Sequence, residues 1–136
     1  MYRVVLDAVI LLRGLINPHS ICGALLSEFT HRYQVIFSEQ TGKVLVLLPF
    51  HPLLVAKYPH LSKTDPRQAG RLITRAEKVY VQPDHSDNIF IATAIAAKAD
   101  YLVCEDPALL ALRGKSKIPI LDARAFVTLL ASGSAL

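Results

Sequence analysis

Short apolar runs of strand length alternate with longer helical stretches along this chain, and that alternation leaves few architectures open. Arg3–Asp7, Gln34–Phe37, Val79–Gln82, Asp100–Cys104 and Ile118–Leu121 read as five strands. Ala8–Ile16 reads as a short helix ended by Asn17-Pro18, and Ser20 can cap a helix to about Arg32. Ser38 can cap another from Glu39, which Thr41 and Gly42 weaken and Pro49 and Pro52 end or kink. Residues 57–64 read as a loop, and Asp65-Pro66 opens a helix to about Lys78. Beyond the loop Pro83–His85, Ser86 can cap a helix through Lys98. Pro107–Arg113 is a short helix, and Asp122 caps a last one, Ala123–Ala131. Strands separated by helices predict an α/β fold with a parallel sheet and right-handed crossovers. No repeat, low-complexity tract or linker interrupts the pattern, so residues 1–136 are expected to form one domain.

With 52% hydrophobic residues the chain has ample material for a core, and disorder is excluded. The net charge of +4 is compatible with a nucleic-acid partner without demanding one. Cys22 and Cys104 form neither a CxxC nor a zinc spacing, and Cys104 sits in an apolar run where an inert buried thiol is expected. The apolar N-terminus is interrupted by Asp7 and Arg13, unlike a signal peptide. Val44–Ala56 is broken by Pro49, His51 and Pro52 and is too short to span a bilayer, which takes about 20 residues. A soluble cytoplasmic protein with no membrane contact is the expectation.

Two of the strands run straight into acid. Val4-Val5-Leu6 ends on Asp7, and Tyr101-Leu102-Val103-Cys104-Glu105 ends on Asp106. Between them, Ser86-Asp87-Asn88 opens an apolar helical stretch, with Asp87 expected in its first turn. Ligands of parallel α/β sheets bind outside the carboxyl ends of the strands. If the first and fourth strands are neighbours, Asp7, Asp87 and Asp106 converge there. Converging carboxylates repel one another unless a cation neutralises them, and a hard divalent ion bound through oxygen suits them. Each acid also has a plain alternative: Asp87 a favourable first-turn residue, Asp106 the cap of the helix from Pro107. For Asp122 the capping role is the better one. Asp7 is hardest to explain structurally, because a charge inside Val4–Leu12 needs partners.

At these residues the chain resembles the PIN-domain family, in particular the toxin components of toxin–antitoxin pairs. The resemblance covers nearly the whole chain: Val4-Val5-Leu6-Asp7, then Ser86-Asp87-Asn88-Ile89-Phe90-Ile91-Ala92-Thr93-Ala94, then Ala99-Asp100-Tyr101-Leu102-Val103-Cys104-Glu105-Asp106 with Leu109-Leu110, and Ile120-Leu121-Asp122-Ala123-Arg124-Ala125-Phe126. It implies a three-layer, five-stranded parallel sheet ordered 3-2-1-4-5. It implies a magnesium- or manganese-dependent ribonuclease acting on single-stranded RNA, with Asp7, Asp87 and Asp106 as catalytic metal ligands. It also implies an antitoxin partner. Two departures weaken the site. Where the family follows its first Asp with Thr-Asn, this chain has Ala8-Val9, and Val44 stands where the family places a Glu. Glu39 is off that helix face, and Gln40 is on it but neutral. Weak metal binding and low activity follow.

Arg67, Arg71, Arg75 and Lys78 recur at helical spacing, either as an RNA-contacting stripe or as an ordinary solvated face. Arg3 and Arg13 flank the first acid and could meet phosphate or balance Asp7. Phe29, Tyr33, Phe50 and Tyr58 suit core or dimer contacts, and Leu45–Val55 suits a homodimer interface or burial within the monomer. The five histidines show no metal spacing, and no P-loop or GxGxxG occurs. Three functions compete: a ribonuclease, an inactive PIN domain that binds RNA or protein, and a receiver-like phospho-acceptor. The last lacks paired acids after strand one and an acceptor Asp after strand three.

Overall fold

The computed structural model describes residues 1–47, 51–60, 77–78 and 88–132. Four strands form a continuous parallel sheet: β1 (Tyr2–Leu6), β2 (Tyr33–Phe37), β4 (Tyr101–Val103) and β5 (Ile120–Leu121). β1 lies between β2 and β4, with Val4 opposite Val35 on one side and Tyr101 on the other, and β5 flanks β4. Glu77–Lys78 (β3) adds a two-residue parallel rung to the outer edge of β2, opposite Ile36 and Phe37.

The strands are apolar on both faces because helices cover both, as parallel sheets require. Alternation divides their side chains. Val4, Leu6, Val35 and Val103 face one cluster with Ile10, Cys22, Leu25, Phe126 and Leu130. Val5, Ile36 and Leu102 face the other, with Phe90, Ala94, Leu109 and Ile120. The first face is covered by α1 (Ala8–Ile16), α2 (Ile21–Ser27) and α7 (Ala123–Ser132), and the second by α5 (Ile89–Ala97) and α6 (Pro107–Leu110). Phe126 is fully buried, with the rings of Tyr2, Tyr33 and Tyr101 6.5, 5.6 and 6.1 Å from its own. Of the two roles open to Tyr33, core or dimer contact, it takes the core one.

Local chemistry sets the helix ends. Ser20 Oγ accepts from the Gly23 N–H at 3.1 Å, as its position predicted, but α2 stops at Ser27 and a 3-10 turn, Thr30–Arg32, leads into β2. A side chain at Gly23 would lie 2.2 Å from the Pro18 carbonyl oxygen, so this turn demands glycine. Ser38 caps α3 (Glu39–Leu47) as expected. Pro52 does not end a helix but begins one, α4 (Pro52–Lys57), capped by His51 Nδ1, because proline lacks the N–H that a first turn leaves unused. That helix ends at Lys57, the first residue of the expected loop, and residues 61–64 of that loop lie outside the described residues. The cap of α5 is Asn88, which accepts from the Phe90 N–H at 2.8 Å, so the helix starts later than Ser86 suggested. It closes at Lys98, whose left-handed backbone (φ 51°) directs its N–H back to Ile95. The helix expected to run to Lys78 does not reach it, since Glu77 and Lys78 are strand. Val79–Gln82 and Phe50 lie outside the described residues.

Among the described residues no single helix is long and apolar enough to cross a membrane. The successive apolar helices α1 and α2 bend 100° from one another.

Candidate functional site

β1 and β4 are adjacent and parallel, so their carboxyl ends share an edge. Asp7 follows β1 there and is 2% exposed. Its own N–H donates to the Val103 carbonyl at 3.1 Å, continuing the β1–β4 ladder by one rung. Its carboxylate is held by backbone donors. Oδ1 accepts from the Ile10 N–H at 2.9 Å, capping α1, and Oδ2 accepts from the Glu105 N–H at 3.4 Å. The Asp106 N–H also favours the charged form of this carboxylate. Among the described residues no ion pair reaches it. Burial pushes its pKa up to about 6 against the pull of those three N–H groups, and the nearby Asp106 charge adds to the rise.

Asp106 is half-buried at the end of the segment after β4. It caps α6 through Oδ1, which accepts from the Ala108 N–H at 2.9 Å. Capping and site membership are therefore not alternatives. The cap fixes the side chain, and Oδ2 makes no hydrogen bond among the described residues. Asp122 is a cap, accepting from the Ala125 N–H at 2.7 Å.

Asp87, Arg67, Arg71 and Arg75 lie outside the described residues. The helix after Asp87 begins at Ile89, so the first-turn position expected for Asp87 is corrected: that turn lies beyond it. Lys78 is exposed but belongs to β3, which takes it off the helical stripe assigned to it. Val44 is 38% exposed on α3, and no acid replaces it there. Glu39 pairs with Lys43 Nζ at 3.6 Å, and both side chains are exposed. Gln40 is half-buried.

Arg3 does not balance Asp7. It lies at the amino end of β1, where its Nη1 donates to the Ala97 carbonyl at 2.8 Å. Arg13 does come to the acidic edge, with Nη1 3.3 Å from Glu105 Oε2. Glu105, to which the sequence assigned no role, is a hub. Its Oε1 accepts from the Ala123 N–H at 3.0 Å at the start of α7, while its own N–H bonds Asp7.

A second feature the sequence did not disclose is a buried hydroxyl group cluster beside this edge. Thr93 Oγ1 on α5 donates to Ser38 Oγ at 3.0 Å, and Ser38 Oγ lies 3.2 Å from Thr41 Oγ1. All three residues are at most 1% exposed. The bonds tie α3 and α5 together next to the end of β2. Cys104 is fully buried, and desolvation with the Asp7 charge pushes its thiol up to about 12, so it is inert as expected.

The donor set suits a hard divalent cation in part. Two carboxylates are brought together and left without a cation among the described residues. Magnesium is commonly held by one or two carboxylates and completes its shell with water and phosphate oxygens. Among the described residues, no group of three His, Cys, Asp or Glu side chains is arranged to hold a metal. No known protein family matches the chain, and no curated protein matches it.

Proposed function

We propose that this chain is a PIN-like, toxin-like endoribonuclease with a weakened magnesium or manganese site. One observation carries the reading: Asp7 and Asp106 follow the adjacent parallel strands β1 and β4 at the same sheet edge, and the Asp106 charge adds to the rise in the Asp7 pKa. Taking the Glu77–Lys78 rung as a fifth strand gives the order 3-2-1-4-5 that such a fold has.

Asp7 and Asp106 would hold the ion, with Asp87 as a third ligand. A bound divalent ion supplies an activated water and charge neutralisation at a phosphodiester. The protein's own part is placement. Backbone N–H groups fix both oxygens of Asp7, and the Ala108 N–H fixes one oxygen of Asp106. Substrate would be single-stranded RNA. An antitoxin, a homodimer partner and a cytoplasmic setting belong to the same reading.

The test is cleavage of a labelled single-stranded RNA by purified protein with manganese. Cleavage should stop with chelator and fall at least about 100-fold in Asp106→Asn, the range expected for losing a charge that acts on the transition state. Equal cleavage by Asp106→Asn would end the proposal. A second reading, an inactive PIN domain that binds RNA or protein, is favoured by Val44, an exposed apolar residue where an acid is needed. Metal binding without cleavage would select it.

A further inference from the structure

Arg13 stands in the last turn of α1, the helix that Asp7 caps, and its side chain is 56% exposed. Among the described residues its guanidinium makes one contact, from Nη1 to Glu105 Oε2 at 3.3 Å. A guanidinium presents five N–H donors in a planar fork that fits carboxylate and phosphate alike. Among the described residues most of this fork is therefore unused.

Glu105 is the opposite. Its side chain is 19% exposed and is anchored apart from Arg13 by the Ala123 N–H at 3.0 Å. In such a pair the acid stays in place and the cation is free to leave. The pair also sits on the acidic edge, since Glu105 precedes Asp106 and donates its N–H to Asp7.

We propose that Arg13 is a phosphate-contacting residue of this site and that Glu105 is its built-in competitor. A backbone phosphate of single-stranded RNA takes over the guanidinium and displaces it from Glu105. A single partly exposed pair contributes little, so phosphate competes with it readily. The inference rests on reading this edge as a ribonuclease site, but the contact itself needs no metal.

The experiment measures binding of a fluorescently labelled single-stranded RNA by anisotropy, with chelator present, across a salt series. The proteins are the parent, Arg13→Gln, Arg13→Lys, Glu105→Gln and the double Gln variant. Glutamine at 105 retains an oxygen for the Ala123 N–H, so α7 keeps its cap. Arg13→Gln should weaken binding about three- to tenfold and lower the slope of log affinity against log salt by about 0.7, the signature of one lost single-strand phosphate contact. Arg13→Lys should keep the parent slope. Glu105→Gln should tighten binding about two- to fivefold by freeing the guanidinium. In the double variant that gain should vanish.

An Arg13→Gln variant with unchanged affinity and slope overturns the proposal. So does a Glu105→Gln gain that persists without Arg13, since it would be a general charge effect. Absence of RNA binding by every form at low salt overturns it as well. Because these readings are taken in chelator, failure of manganese-dependent cleavage is scored separately.

Discussion

The β1–β4 pair carries an aspartate at each end, and the surroundings of the two differ. At the amino end, Asp100 Oδ2 accepts the Arg3 N–H at 2.7 Å, and the Arg3 guanidinium bonds the last carbonyl of α5. Asp100 is exposed, so solvent carries its charge, and the Arg3 side chain closes a helix end. At the carboxyl end, Asp7 is buried against three backbone N–H groups with no cation among the described residues, and Asp106 raises its pKa further. A solvated charge costs the fold little. Unmatched charge in a buried position destabilises the metal-free fold, and a bound cation would relieve that destabilisation.

The largest expected effect breaks the comparison at Asp7. Its folded pKa of about 6 stands above the ordinary 3.8. The folded state therefore binds the proton more tightly than the unfolded chain. Stability from this group is full below the unfolded pKa and falls as pH rises through the folded one. A gap of that size corresponds to about 3 kcal/mol lost between roughly pH 4 and 6. Urea unfolding in chelator should show that loss in the parent and not in Asp7→Asn. An Asp7→Asn variant that is much less stable at pH 7.5, with the parent's pH dependence intact, would mark Asp7 as purely structural.

The amino end should behave in the reverse way. Arg3→Met removes the donor to the Ala97 carbonyl, a bond made by a charged group, and should cost about 1–2 kcal/mol at every pH. It should leave any response to manganese unchanged. A changed response would show that the two ends are coupled.

Manganese sharpens the contrast from the other side. A ligand that binds only the folded state stabilises by RT ln(1 + [L]/Kd), so an ion present at about five times its Kd adds roughly 1 kcal/mol. That gain should appear at pH 7.5, shrink below about pH 5 where Asp7 holds its proton, and be absent in Asp7→Asn. Thermal melts with and without the ion are sufficient. Equal gains in parent and variant would place the ion elsewhere.

The acidic edge was legible in the sequence because period and punctuation both pointed to it. Apolar runs ending on Asp7 and Asp106 needed only adjacent strands to share an edge, and β1 and β4 are adjacent and parallel. The support around them was not legible. Glu105 acts through its N–H, its cap on α7 and its pair with Arg13, and these contacts span 98, 18 and 92 positions. No local pattern encodes such contacts. Thr93 and Ser38 meet across 55 positions for the same reason. Pro52 shows the opposite failure: one residue type serves as a helix breaker inside a helix and as a helix starter at its first position.

The smallest expected effect on stability concerns Val44. Val44 is 38% exposed, so a carboxylate there need not be buried. Val44→Glu should change metal-free stability by no more than about 0.5 kcal/mol, the usual range for surface positions. Its effect on the ion is a separate matter. α3 packs against both α1, which starts at the acidic edge, and α5, and Gln40 sits one turn back from Val44, half-buried. A third or fourth oxygen ligand strengthens a hard-cation site, so the variant should bind manganese several-fold more tightly while its melting temperature without metal stays put. This outcome would show that the acidic edge extends across α3 and that Val44 is where the site lost strength. Unchanged manganese affinity with an intact fold would confine the edge to the ends of β1 and β4. The comparison would then be between two ends of one strand pair and nothing wider.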